Sequence, residues 1–294
     1  MAVYEHTYKE YAGPLTPEWS RFLIIPRHAY KDVFSSKIFT AFFALCFVCP
    51  LVMAILIYLH HNVSALQIMD VRVKDLVSIN SEFFRIYLSV QCSLGFLLTL
   101  LIGPTLVSRD LSNNALPLYL CRPFSRSEYV IGKMAVLILL ISAITWVPGI
   151  LLFLFQSYLD GFGWFTQNAW LGWAILAGSW TWILTLSLLS LTLSAWVKWR
   201  IAASAGLFAL FIIPTAIGAF ITEVFSTRWG NLISLSVIMQ SITDSLFRER
   251  NSWDLDVSRS LALPAWSAWM MLGIVCAGCL LLLARKVRAY EVIR

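Results

Sequence analysis

Six stretches of this chain, each an apolar run long enough to cross a bilayer as a helix, constrain its fold more than any other feature. They lie at roughly 38–59, 84–107, 130–155, 170–197, 201–222 and 264–284. A hydrocarbon core about 30 Å thick takes about 20 helical residues to cross. Composition agrees: 59% of the 294 residues are hydrophobic and 13% charged, against about 45–50% and about 25% in soluble proteins. Mean hydropathy is +0.76, and no soluble core hides that much apolar surface. The fold class expected is an all-α integral membrane protein with six transmembrane helices.

The net charge is +6 and the pI about 9.1, but the basic residues are scattered through short polar segments. That pattern excludes a nucleic-acid surface and carries topological information instead. One set of alternate segments holds Lys9, Arg21, Arg27, Lys31 and Lys37, then Arg109, Arg122, Arg126 and Lys133, then Lys198 and Arg200, and finally Arg285, Lys286, Arg288 and Arg294. The other holds Arg72, Lys74 and Arg85, none between Gln156 and Ala169, then Arg228, Arg248, Arg250 and Arg259. The richer side is expected to be cytoplasmic, with both termini on it, in the cytoplasmic (inner) membrane. Tryptophans fit as interface anchors: Trp164, Trp170 and Trp173, with Trp266 and Trp269, at the outer edge, and Trp196 and Trp199 at the inner. Residues 1–36 show no cleavable signal peptide, so the first span is expected to act as its own insertion signal.

The organisation that follows is a cytoplasmic N-terminal segment at 1–37, a transmembrane domain at 38–284, and a basic tail at 285–294. Only Lys198 and Arg200 separate the fourth span from the fifth, so those two should pack as an antiparallel hairpin. The outer loop 226–263 contains a run at 231–247 that is apolar but short and dotted with Ser, Gln, Thr and Asp. A seventh span there would send the basic tail outside, so a re-entrant or interfacial helix pair is expected.

Chemistry-bearing residues are sparse. Arg85 and Glu223 sit near the outer ends of spans, where snorkelling makes them cheap, and no carboxylate lies near a midplane as ion-coupled transporters require. Pro50, Pro104, Pro148 and Pro214 interrupt the apolar runs. There is no phosphate-binding loop. His6, His28, His60 and His61 lack the partners a hydrolytic site needs, and His60-His61 read as interfacial rather than metal-ligating. The C-x-x-C spacings at Cys46/Cys49 and Cys276/Cys279 fall in apolar runs and read as small hydrophobes without disulfides. No enzyme activity, cofactor or metal site is expected in this chain.

The informative segment joins the second and third spans, 108-SRDLSNNALPLYLCRPFSRSEYVIGK-133. Leu111, Ala115, Leu118 and Tyr119 recur at helical spacing, predicting a short amphipathic helix along the membrane surface. Ser125-Arg126-Ser127-Glu128 forms a capping box with Phe124 and Tyr129 as its staple, predicting a new helix from Arg126 into the third span.

The run R-P-F-S-R-S-E-Y-V-I-G-K resembles the first cytoplasmic loop of permeases in the type-2 exporter class of ATP-binding-cassette transporters. Positions matching that pattern are Asp110, Leu116, Arg122, Pro123, Ser125, Arg126, Tyr129, Gly132 and Lys133; aspartate replaces the usual glutamate, and Asn114-Ala115 replaces Gly-Thr. The resemblance implies that loop 108–129 is a coupling helix docking onto a separate ATPase subunit, through Asp110, Leu111, Leu116, Leu118, Tyr119, Arg122, Pro123, Ser125, Arg126 and Tyr129. It also implies an N-terminal amphipathic elbow helix within 18–37 and re-entrant elements between spans five and six. ATP and Mg would be bound by the partner ATPase, and two permease copies would assemble as a homodimer. Small and hydroxyl residues of the fourth and fifth spans, among them Ser190, Ser194, Ala202 and Gly206, are candidates for close helix contacts between or within copies. An apolar path favours lipid-like, peptide or amphipathic drug-like cargo, moved by export. The competing readings are an accessory or assembly subunit on the same fold, a membrane-bound enzyme, or a secondary transporter.

Overall fold

The computed structural model describes residues 24–62, 78–112, 126–197, 199–248 and 263–286. These form ten α-helices and one 3₁₀ helix. In chain order they are α1 (Ile24–Phe34), α2 (Lys37–Leu45), α3 (Val48–His61), α4 (Ser81–Ser112), α5 (Arg126–Ile144), α6 (Trp146–Asp160), α7 (Phe162–Trp196), α8 (Arg200–Phe225), a 3₁₀ helix (Arg228–Ile233), α9 (Leu235–Leu246) and α10 (Ala265–Lys286). Six spans are long and apolar enough to cross a membrane: α2–α3, α4, α5–α6, α7, α8 and α10. Their outward surface is apolar, with Ile38 79%, Ile201 75% and Leu281 65% exposed, so lipid is the solvent that surface suits. This is a multi-pass membrane protein. Lys37, Lys133, Arg200 and Lys286 mark one end of the bundle, called here the basic end; the opposite end is called the loop end.

The spans run longer than their apolar cores: α7 has 35 residues, about 52 Å at 1.5 Å per residue. It is apolar around its whole circumference, which suits the bundle centre, and it packs against α4, α5, α6, α8, α9 and α10. The hydroxyl residues of the fourth span are consumed inside the chain, with Ser179, Thr185, Ser187, Ser190, Thr192 and Ser194 all buried. They serve packing within the chain. The expected hairpin of spans four and five is present, with Trp182 and Phe211 stacked at 6.4 Å. Of the tryptophans expected at the interfaces, Trp173, Trp196, Trp199, Trp266 and Trp269 are exposed, whereas Trp164 turns inward against Phe153, at 5.6 Å.

Three of the four prolines in the spans disrupt helices in a way the bundle repairs. A proline has no N–H for the carbonyl four residues earlier, and in a bilayer that carbonyl needs another donor. Pro50 leaves the Cys46 carbonyl, which accepts from Gln91 Nε2 at 3.0 Å. Pro104 leaves the Leu100 carbonyl, which accepts from Ser204 Oγ at 3.0 Å. Pro148 leaves the Ile144 carbonyl; the Tyr87 hydroxyl donates to it at 3.4 Å and to the Thr145 carbonyl at 2.8 Å. The first and third spans are each broken into two helices beside these prolines, at residues 46–47 and at Thr145.

Near the basic end α7 reaches the backbone of α4 directly. Ser194 Oγ of α7 donates to the Pro104 carbonyl at 2.8 Å and accepts from the Ser108 N–H at 2.9 Å, standing between two groups that would pair in a regular helix. The side chains allow this approach because Gly103 has none: a Cβ there would lie 1.8 Å from Ser190 Oγ.

Between the fifth and sixth spans, α9 is 12 residues long, about 18 Å, too short to cross a core of about 30 Å. It buries Leu235, Ile238, Met239 and Ile242 against α7, α8 and α10. The preceding 3₁₀ helix lies against α8, where Gly218 faces the Gly230 carbonyl so closely that a Cβ would come within 2.8 Å. Helix α1 packs on α5, its Tyr30 hydroxyl donating to the Val136 carbonyl at 3.1 Å.

Candidate functional site

At the basic end, α4 and α5 stand on either side of residues 113–125, which lie outside the described residues. Asp110 stands on the last turns of α4. Tyr129 and Lys133 are four residues apart on α5 and so share one face. The three side chains converge: Asp110 Oδ2 accepts from the Tyr129 hydroxyl at 2.7 Å and from Lys133 Nζ at 2.8 Å. Lys133 Nζ also lies 5.7 Å from the centre of the Tyr129 ring. Tyr129 is fully buried and Lys133 is 7% exposed. An ammonium so far from water is tolerated only with a paired carboxylate and further hydrogen bonds, and the Tyr129 hydroxyl supplies one. The cluster holds no nucleophile–base pair. Its chemistry is that of a tie, joining α4 to α5 so that they cannot separate without breaking a buried ion pair.

α5 is described from Arg126 onward, and Ser125, the first residue of the expected capping box, lies outside the described residues. Of Leu111 and Arg126 the structure describes the helical backbone only. Leu116, Leu118, Tyr119, Arg122, Pro123 and Ser125, the remaining members of the expected docking set, lie outside the described residues, as do residues 18–23 of the expected elbow helix. The structure thus brings together Asp110 and Tyr129 and adds Lys133, which the sequence motif contains and the expected docking set omits.

No family model and no curated protein matches this chain.

Toward the loop end is a second polar cluster that sequence reasoning missed. Arg85, expected to snorkel, instead turns to Asp244 of α9, Nη1 to Oδ1 at 3.2 Å, with Glu82 Oε1 4.0 Å from its Nη2. The Arg85 and Asp244 side chains are 21% and 15% exposed. The available signal was an arginine inside an apolar run, which reads as paired; its partner lies 159 positions away. The pair borders a cleft of about 710 Å³ between α4, α7, α8 and α9, lined also by Phe96, Trp182, Phe211 and Thr215. At the same end His61 Nε2 meets Asp160 Oδ1 at 3.1 Å, and Gln156 Nε2 donates to the other oxygen of Asp160 at 2.7 Å. His61 is therefore a tie between the first and third spans.

Proposed function

We propose that this chain is the permease subunit of an ATP-binding-cassette transporter of the type-2 exporter class, moving an apolar or amphipathic cargo across the cytoplasmic membrane. A separate ATPase subunit would supply the energy. The observation that carries this reading is the Asp110–Tyr129–Lys133 cluster. Three positions of the loop motif that resembles this family's coupling helix meet in one buried tie. A loop that receives a push from an ATPase needs its ends fixed to the spans that must move, and a buried pair at 2.8 Å supplies that stiffness.

In this reading the basic end faces the cytoplasm, loop 108–129 docks onto the ATPase, and α1 with the residues before it is the elbow helix. The 3₁₀ helix and α9 form the interfacial pair on the outer side. Two copies of the chain and two ATPases assemble, and ATP biases the bundle between inward-open and outward-open states through its different contacts with each. This chain then binds neither ATP nor Mg and is not itself an enzyme.

The test is purification of the tagged chain from its native membrane with its associated proteins. A stoichiometric nucleotide-binding subunit with ATPase activity is expected. Arg122→Glu, in the loop, should lower its recovery at least several-fold without changing the thermal stability of the membrane chain. Recovery of the chain alone, or a partner indifferent to the loop change, would overturn the reading in favour of an accessory subunit, an enzyme or a secondary transporter.

A further inference from the structure

We infer that α3 and α6, the loop-end halves of the first and third spans, form a jointed two-helix arm that tilts as one body against α4 and α7 while α2 and α5 stay seated. The joints carry the argument first. The first span breaks at residues 46–47 and the third at Thr145, whose φ of −99° and ψ of −88° leave the helical region near −63° and −42°. Both breaks are answered from one face of α4: Gln91 bonds the Cys46 carbonyl, and Tyr87 bonds the Ile144 and Thr145 carbonyls. Tyr87 and Gln91 are four residues apart, about 6 Å along the axis, so the two joints lie at nearly the same depth. Side chains from a third helix replace the ladder there, and hinges are drawn from such element ends.

The two helices are matched along their length. α3 has 14 residues and α6 has 15, about 21 Å and about 22 Å, and both run from a joint to the loop end. Their last residues meet, His61 Nε2 to Asp160 Oδ1 at 3.1 Å, with Gln156 holding the other oxygen of that carboxylate. Joints at one depth and tips tied together make the pair a single lever.

The apolar core divides at the same level. Ile57 of α3 and Leu152 and Phe153 of α6 belong to a loop-end core with Phe84 and Tyr87 of α4 and Ile175 of α7. Phe39 of α2 and Val136, Leu137 and Ile141 of α5 belong to a separate core at the basic end. A tilt about the joints therefore disturbs one core and leaves the other packed. Leu51 and Ile55 of α3 and Leu151 and Tyr158 of α6 are exposed, so no described helix packs over the outer side of the arm. At its tip α6 passes into α7 through Gly161 alone, at φ +93° with no atom within 4 Å of where a Cβ would stand, a turn with room to follow the tilt. The inference concerns movement of the chain and does not depend on its being a permease.

The experiment is distance measurement by double electron–electron resonance on the full chain in nanodiscs, with spin labels on introduced keto amino acids so that the native cysteines remain. Labels replace the exposed residues Ile55 of α3, Tyr158 of α6, Leu184 of α7 and Ile274 of α10. The α7–α10 pair sets the width of a rigid body. The α3–α6 pair should match it, whereas the α3–α10 and α6–α10 distributions should be several-fold broader or split in two. Pro50→Ala with Pro148→Ala, which restores both helical donors, should narrow those two to the rigid width. Gln91→Met, which takes the donor from the Cys46 carbonyl, should widen the α3–α10 distribution, and His61→Phe should broaden the α3–α6 pair. Equal widths for all pairs in the chain without these changes, a broad α3–α6 distribution there, or arm-to-α10 widths that neither the proline changes nor Gln91→Met alter would each overturn the inference. Transport and ATPase assays are not part of the readout, so its failure is distinct from failure of the permease reading.

Discussion

Gln91 of α4 donates through Nε2 to the carbonyl of Cys46 at 3.0 Å, the carbonyl that Pro50 deprives of its helical donor. Gln91 is fully buried, and its Nε2 bond, the one its side chain makes among the described residues, joins the broken first span to the second. A glutamine inside a bilayer is expensive unless paired, and here the proline creates the acceptor that makes it tolerable. The two residues are best understood as one feature.

Gln91→Met should therefore destabilise the protein by about 1–3 kcal/mol, the usual cost of leaving a buried polar group unpaired. The measurement is thermal or denaturant unfolding in detergent. Pro50→Ala restores an N–H for the Cys46 carbonyl, so Gln91→Met should cost less in that background. Equal costs in both backgrounds would show that the glutamine acts by packing alone.

For the basic end, Lys133→Met leaves Asp110 with a buried, uncompensated charge and should cost about 3–5 kcal/mol. The double change Asp110→Leu/Lys133→Met should recover much of that loss, since an apolar pair has no charge to desolvate. Tyr129→Phe removes one hydrogen bond to the carboxylate and should cost about 1.5–3 kcal/mol. Unfolding of the wild type, Asp110→Leu, Lys133→Met and the double change, read as a double-mutant cycle with Tyr129→Phe measured beside it, checks the order; additive effects of the two charge changes would mean the pair is not coupled.

Gly103→Ala should be unfavourable by roughly 1–3 kcal/mol, as overpacking in a filled core is, because its Cβ would lie 1.8 Å from Ser190 Oγ and 2.9 Å from Ser190 Cβ. Ser190→Gly in the same chain should rescue it and Ser190→Ala should do so only in part, because the Cβ contact remains. Melting temperatures of the three proteins decide this.

The docking of α1 should weaken in alkali. Burial pushes the Tyr30 phenol up from 10.0 to about 12, and its hydroxyl donates to the Val136 carbonyl. The folded value is raised above that of a detached α1, so the contact contributes fully below about pH 10 and is lost as pH climbs toward 12. A difference titration of phenolate absorbance between the native protein and Tyr30→Phe should show one late-titrating tyrosine. Tyr30→Phe should also cost about 1 kcal/mol at neutral pH and lose this part of the alkaline sensitivity.

Much of the architecture was legible without coordinates. Six spans and a tight turn after the fourth follow from apolar run length, because the bilayer sets a minimum helix length and forbids unpaired backbone within it. The candidate site was half legible: Asp110, Tyr129 and Lys133 stand in the motif, but their meeting at one carboxylate oxygen depends on how α4 and α5 approach each other.

What the sequence by itself determined is local: which segments are apolar enough to become helices, where prolines break them, and that few charges lie within them. Only the tertiary structure decided which donor answers each broken helix, that Ser194 bonds to the backbone of α4, and that Arg85 turns from the surface to Asp244. The physical reason is range. A helix closes its own hydrogen bonds within four residues, so its neighbours in sequence specify it. A carbonyl freed by proline, or an arginine inside a span, must find a partner on another helix, and that choice belongs to the packing of the whole bundle.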